Sequence, residues 1–190
     1  MENVYCKDIE VDFVLDTTPI DNIKKTDYNP NENGQFSIVD LDSNLVRFLD
    51  NLGIEITHSE IFYTPPRLGI NIHVDGTTVD VNAICKLNWV FGAKGSFMTW
   101  WELKDPDTQL NQHRTPIGTP YLLFDQNDCE AVWRQEIHQP TLVNAGLPHN
   151  MHNPTEEARW CVSYALGDKD TKQLLRWDDA VIRFSNYIKE

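Results

Sequence analysis

Asn71-Ile72-His73-Val74-Asp75-Gly76 reads as the end of a β-strand. Side chains two apart on a strand share a face. Ile72 and Val74 therefore point one way, and His73 and Asp75 the other. Gly76 gives the chain freedom to turn at once. The same texture extends in both directions. Residues 54–64, 68–74, 78–81, 83–91, 96–103, 120–124, 131–137, 141–143 and 159–166 are short apolar or alternating runs. Pro65-Pro66, Asp75-Gly76, residues 92–95, Asp105-Pro106-Asp107 and Asn153-Pro154 break them. Many short strands at such spacing predict a mainly β sandwich, jelly roll or barrel.

The flanks differ in texture. Residues 8–15 alternate and then turn β-rich, which predicts a first strand, and residues 16–34 read as loop. Leu45, Val46, Phe48, Leu49 and Leu52 form a helical stripe over about residues 43–52, with Asp42 or Ser43 to cap its start and Gly53 to close its end. Leu174, Trp177, Val181, Phe184 and Ile188 predict a last helix over about residues 171–188. At 190 residues, 41% hydrophobic and 11% aromatic, the chain has the composition of one globular domain with a real core. Its net charge of −13, without a dense Lys/Arg cluster, argues against nucleic acid and anionic lipid as partners. Residues 1–10 lack the pattern of a signal peptide, and no apolar run approaches membrane-spanning length. Cys6, Cys85, Cys129 and Cys161 show no CxxC spacing and are read as reduced thiols of a cytoplasmic protein.

An imidazole and a carboxylate sharing one strand face can grip a metal from one side. A second imidazole from elsewhere would complete a two-histidine, one-carboxylate triangle, which leaves the far side of an octahedral ion open. His-x-Asp alone is a weak signal, and His58-Ser59-Glu60 offers a rival at the same spacing. Setting favours His73 and Asp75. They end an apolar strand, where a ligand pair can face a barrel mouth.

The second half adds His149-Asn150-Met151-His152-Asn153-Pro154-Thr155-Glu156-Glu157-Ala158-Arg159, followed by an apolar run over residues 160–166. Here the chain resembles the 2-oxoglutarate- and Fe(II)-dependent oxygenases, in particular their aspartyl/asparaginyl β-hydroxylase-like branch. In that family a distal histidine, an Asn-Pro turn, an arginine and a strand follow in this order. The resemblance implies a double-stranded β-helix (cupin-like jelly-roll) core over about residues 54–166, with segments 1–53 and 167–190 and their helices flanking it. It selects His149 over His152 as the second imidazole, so that His73, Asp75 and His149 would hold Fe(II). It places Arg159 on the far carboxylate of 2-oxoglutarate, where a fixed bidentate cation suits a carboxylate better than Lys does. Asn153-Pro154 fits a tight turn that would bring His149 and Arg159 to one end of the barrel. Tyr63, on the preceding strand, is a candidate donor to the same carboxylate. Lys86 and Asn88 share a strand face at places where that branch commonly carries Arg and His against the chelating end of the co-substrate. Because the branch often lacks the ligating carboxylate, Asp75 argues for the wider hydroxylase pattern.

The reading implied is a hydroxylase that couples oxidative decarboxylation of 2-oxoglutarate by O2 to hydroxylation of a small-molecule or peptide substrate. Two other readings stand beside it: another cupin-type metal dioxygenase or isomerase, and a metal-free jelly-roll module using tryptophans as stacking surfaces. Trp89, Trp100, Trp101, Trp133 and Trp160 fall in predicted strands, where core packing is the commoner role. Arg67, in the Pro-Pro-Arg turn, is a candidate contact at the site rim.

Overall fold

Residues 159–168 form a strand buried at nine of ten positions, which requires packing on both of its faces. Trp160, Val162, Tyr164 and Leu166 serve one face, and Arg159, Cys161 and Ser163 the other. A computed structural model describes residues 3–108, 110–115 and 118–189 of the chain. Its elements in order are β1 (Cys6–Asp8), α1 (Thr18–Ile23), β2 (Gly34–Ser37), α2 (Ser43–Asn51), β3 (Ile54–Thr64), β4 (His73–Asp75), β5 (Cys85–Phe91), β6 (Phe97–Leu103), β7 (Asn111–Arg114), β8 (Pro120–Leu123), β9 (Cys129–Glu136), β10 (Thr141–Asn144), β11 (His149–His152), β12 (Arg159–Asp168) and α3 (Trp177–Arg183).

The strands form two antiparallel six-stranded sheets, β1-β10-β5-β12-β3-β2 and β7-β8-β4-β11-β6-β9. From β3 to β6 the chain alternates between the sheets, and it alternates again from β9 to β12. That winding is a jelly roll, as the sequence predicts. The helices cover the outer face of the first sheet. Ile20 of α1, Leu45 and Leu49 of α2, Trp177 and Ala180 of α3 and Phe184 just after it join Ile61, Leu87, Trp89, Val162 and Tyr164 in one buried cluster. Each such large side chain contributes about 1.5–3 kcal/mol on burial. A second cluster, including Val90, Met98, Trp100, Val143, Met151 and Cys161, lies between the sheets.

The helix predicted at residues 43–52 is present as α2. Asp42 caps it by accepting from the backbone N–H of Asn44 and Leu45, and Gly53 follows at φ +68°. Several flank expectations are corrected. The first strand covers only Cys6–Asp8, because beyond it a single bridge pairs Ile9 with Ile188. Pro19 starts the short helix α1, and β2 adds an edge strand to β3, both within stretches read as loop or left unassigned. The last helix covers only Trp177–Arg183, because Leu174 bridges to Gly167 and Lys172 sits at φ +60°. Residues 78–81 form no strand, and β7 lies outside the predicted strands. The strand carrying His73 and Asp75 is shorter than residues 68–74 suggested, with Gly69 reaching β11 through a bridge to His152.

Candidate functional site

β4 and β11 are adjacent and antiparallel, with His73 directly opposite His149. The imidazole centroids are 4.4 Å apart. Gly76 follows β4 at φ +97°, a conformation that suits glycine, so the strand ends directly after Asp75. His73 Nδ1 lies 2.9 Å from the Asn71 carbonyl and His149 Nδ1 2.8 Å from the Leu147 carbonyl. A carbonyl can only accept, so each Nδ1 carries the proton and each Nε2 keeps its lone pair in the neutral ring. Such backbone anchoring orients metal-ligating histidines. Burial, reinforced by His73, pushes the His149 pKa down to about 3, which keeps the ring neutral across the physiological range. Trp100 stands opposite His149 on β6. Its ring is 6.5 Å away, and its indole N–H is spent on the Asn144 carbonyl.

Asp75 divides its carboxylate. Oδ1 lies 3.9 Å from His73 Nε2, and Oδ2 accepts from Lys86 Nζ at 2.8 Å. Burial alone would raise this carboxyl's pKa, but Lys86 and then the two histidines hold it well below the usual carboxylate range. Lys86, also buried, is 3.6 Å from Glu60, and the two carboxylates together lift its pKa above its ordinary value against the opposing pull of burial. Glu60 also accepts from Gln35 Nε2 at 2.6 Å and pairs with His58 Nε2 at 3.1 Å. The rival His58–Glu60 pair is thus tied up with itself, with His58 45% exposed.

These side chains line a cavity of about 580 Å³ between the sheets. His73, Asp75 and His149 face it from the second sheet. Glu60, Lys86, Asn88, Arg159, Cys161 and Ser163 line it from the first. Arg159 opens β12 opposite Thr64, is 3% exposed, and has no carboxylate within ion-pair distance among the described residues. Its Nε finds no hydrogen-bond partner among the described residues, and neither do Asn88 Oδ1 and Ser163 Oγ. Buried polar groups without partners are rare in native proteins. Glu156, three residues before Arg159, is claimed at the surface by Arg67. That pairing accounts for Arg67 as a turn residue.

His73, Asp75, His149, Arg159, Lys86 and Asn88 therefore share one cavity. Tyr63 is corrected as a carboxylate donor. It borders the cavity, but its hydroxyl is donated to the Pro30 carbonyl at 2.8 Å and its ring packs against Trp160 and Tyr28. Alternation along β3 turns Tyr63 outward with Ile61. Glu60, weighed in the sequence only as the carboxylate of the rival pair, lines the cavity, and so do two residues that the sequence reading did not assign, Cys161 and Ser163. The period of two gives the signal for Cys161 and Ser163, since they share the face of Arg159 on β12.

The donor chemistry fits a divalent cation: two imidazole Nε2 atoms and one carboxylate oxygen belong to the same sheet. Among the described residues, no three His, Cys, Asp or Glu side chains are gathered in ligating geometry. The Lys86 contact holds half of the Asp75 carboxylate elsewhere.

No protein-family model matches the chain, and no curated protein does. Solved structures do. The chain is similar to oxalate oxidase in complex with the substrate analogue glycolate, at 15% identity and TM-score 0.36 over 72% of this chain and 52% of that one. It is similar to EvdMO1 at 12% identity and TM-score 0.50, over 85% of this chain and 47% of that one. It is also similar to the polyketide cyclase RemF from Streptomyces resistomycificus, at 12% identity and TM-score 0.32 over 70% and 65%. The chain spans about half the length of the first two. At these identities the likeness concerns the fold alone, and the EvdMO1 match agrees with the jelly roll. No helix among the described residues is long and apolar enough to cross a membrane.

Proposed function

We propose that this chain is a 2-oxoglutarate- and Fe(II)-dependent oxygenase, acting as a hydroxylase on a small-molecule or peptide substrate. One observation carries the reading: Arg159 is a buried guanidinium with no carboxylate partner among the described residues, in the same cavity as two backbone-anchored histidines and Asp75. A buried unpaired charge is strongly destabilising unless something anionic meets it. A dianion gripped by Arg159 at one end and by a metal at the other satisfies both halves of the cavity.

His73 and His149 would hold the metal through Nε2, and Asp75 through Oδ1. Bound Fe(II), with 2-oxoglutarate and O2, supplies the oxidising chemistry. The chain's own residues orient and exclude. The Asn71 and Leu147 carbonyls fix the imidazole planes. Arg159 gives the co-substrate a planar, permanently charged anchor. Met98, Val143, Met151 and Cys161 line the cavity with apolar surface, which keeps water from competing for these groups. Asn88 Oδ1 and Ser163 Oγ remain to receive hydrogen-bond donors from bound ligand or water.

A second reading has its own observation. Lys86 satisfies Asp75 without a metal, which suits a metal-free module that binds an anion at Arg159. Another cupin-type metal dioxygenase or isomerase would use the same His73, Asp75 and His149, with His58 paired to Glu60 and adding no further ligand.

Anaerobic titration with Fe(II) and then 2-oxoglutarate, followed by visible absorption, separates these readings. The expected result is a weak charge-transfer band that needs both additions and is absent in His149→Ala. Tight Fe(II) binding without the band would favour a different metal enzyme. No metal binding at all would leave the anion-binding module.

A further inference from the structure

The metal-centre reading leaves the buried Lys86–Glu60 pair without a task. Lys86 projects from β5 into the cavity with 10% of its side chain exposed, and Glu60 projects from β3 with 2% exposed. Burying two charges is expensive, and an apolar pair of similar size would serve packing as well or better. Three contacts specify what the pair does. Lys86 touches one oxygen of Asp75 and leaves the other, Oδ1, on the side of His73. Glu60 is itself held by Gln35 and His58, so it stays in place as the ammonium's counter-ion when Asp75 turns its charge to a cation. The Phe62 ring, 5.6 Å from Nζ, packs beneath the ammonium and restricts its movement.

We propose that Lys86 is a positioning residue for the metal carboxylate. It pins Asp75 Oδ2, so that Oδ1 alone is presented beside His73, while Glu60 neutralises the ammonium so that it does not repel the ion. This rests on the metal-centre reading above. A carboxylate held in this way presents a single ligand atom in a fixed direction and is kept from swinging to grip with both oxygens. Outer-shell partners of this kind are worth roughly 10–100-fold in metal affinity. The opposite possibility is a lysine that merely takes the metal's place on Asp75, and it predicts the opposite sign on removal.

The test uses Co(II) alone as the probe, read by calorimetric titration and by its visible d–d bands. Lys86→Met keeps the length and loses the donor, whereas Lys86→Gln keeps an N–H donor and loses the charge. In Lys86→Met, affinity should fall by about 10–100-fold and the d–d bands should change in position or intensity as Asp75 is released. Lys86→Gln should recover part of both. A role limited to charge balance would make the two variants alike, and that result overturns the proposal. Co(II) binding that is unchanged or tighter in Lys86→Met also overturns it, while the metal centre itself stands. Failure of the unsubstituted protein to bind Co(II) removes the metal centre and this inference together. Should Lys86→Met fail to fold, Lys86→Gln decides alone: shifted d–d bands with weakened binding are expected, and wild-type behaviour in both readouts overturns the proposal.

Discussion

Arg159 is the residue at which stability and function pull apart. The fold buries its guanidinium, and no carboxylate among the described residues pairs with it. Replacing buried charged groups with apolar side chains of similar size often stabilises a protein by about 1–4 kcal/mol. Arg159→Met should therefore raise the unfolding midpoint of the ligand-free protein. The same change should cost 2-oxoglutarate binding roughly 2–5 kcal/mol, the usual penalty for losing one partner of a buried charged pair. Thermal unfolding and the anaerobic titration read the two effects independently. A fall in stability together with a fall in binding would mark the guanidinium as structural and remove the argument for an anionic ligand. Tyr63→Phe is the contrasting case. Its hydroxyl serves the Pro30 carbonyl, so the change should leave 2-oxoglutarate affinity unaltered while weakening the fold by about 1 kcal/mol.

At the scale of elements, the turn between β11 and β12 sets the spacing of His149 and Arg159. Asn153 is fully buried there. Its amide donates to the Pro65 and Glu157 carbonyls, and its Oδ1 accepts from both the backbone N–H and the hydroxyl of Thr155. Asn153→Ala leaves several of these groups unpaired, and each one buried costs roughly 1–3 kcal/mol. It should lower both the unfolding midpoint and the 2-oxoglutarate affinity, although Asn153 touches neither ligand. Loss of stability alone would show that the turn does not transmit to Arg159. This turn was legible in the sequence because Asn-Pro carries local chemistry, and so were β3, β5, β6 and β12, whose apolar runs are long enough to fix a period. The flanks were not. The stripe from Leu174 to Ile188 fits a helix, yet Leu174 is drawn into a bridge with Gly167, a tertiary contact that local periodicity cannot register. Lys86 on Asp75 and Glu60 was hidden for the same reason, since those three side chains come from three strands. The shortened α3 is tied back by Arg183, which donates to the Gly53 carbonyl at 2.6 Å and pairs with Asp168. The Thr171 backbone N–H and Arg183 together hold the Asp168 carboxyl well below its ordinary range. A depressed carboxyl stabilises above its unfolded pKa, about 3.9, and that contribution is lost as pH falls through the folded value. Arg183→Ala should therefore be less stable than wild type near pH 7, and the gap in unfolding midpoints should narrow as the medium is acidified. A constant gap would place the stabilisation in the Gly53 contact instead.

For the whole molecule, the jelly roll divides the site between its two layers. His73, Asp75 and His149 belong to one sheet, and Arg159, Lys86 and Glu60 to the other. A metal held by the first group touches a single layer. A dianion held by both the metal and Arg159 joins the two layers across the cavity. Ligands that bind only the folded state stabilise it by mass action, about 2.7 kcal/mol at one hundred times the dissociation constant. For a chain of this size that is roughly 5–10 °C in unfolding midpoint. Anaerobic thermal unfolding should accordingly show a shift with Fe(II), little or none with 2-oxoglutarate alone, and a shift larger than their sum with both. Arg159→Ala should keep the metal shift and lose the increment from 2-oxoglutarate, and His149→Ala should lose both. The decisive comparison is 2-oxoglutarate without metal. If it raises the midpoint as far in wild type without Fe(II), and in His149→Ala, as it does with iron present, then Arg159 captures the anion by itself. The histidines would then be bystanders, and the protein would be an anion-binding jelly roll with Lys86, not a metal, as the permanent partner of Asp75.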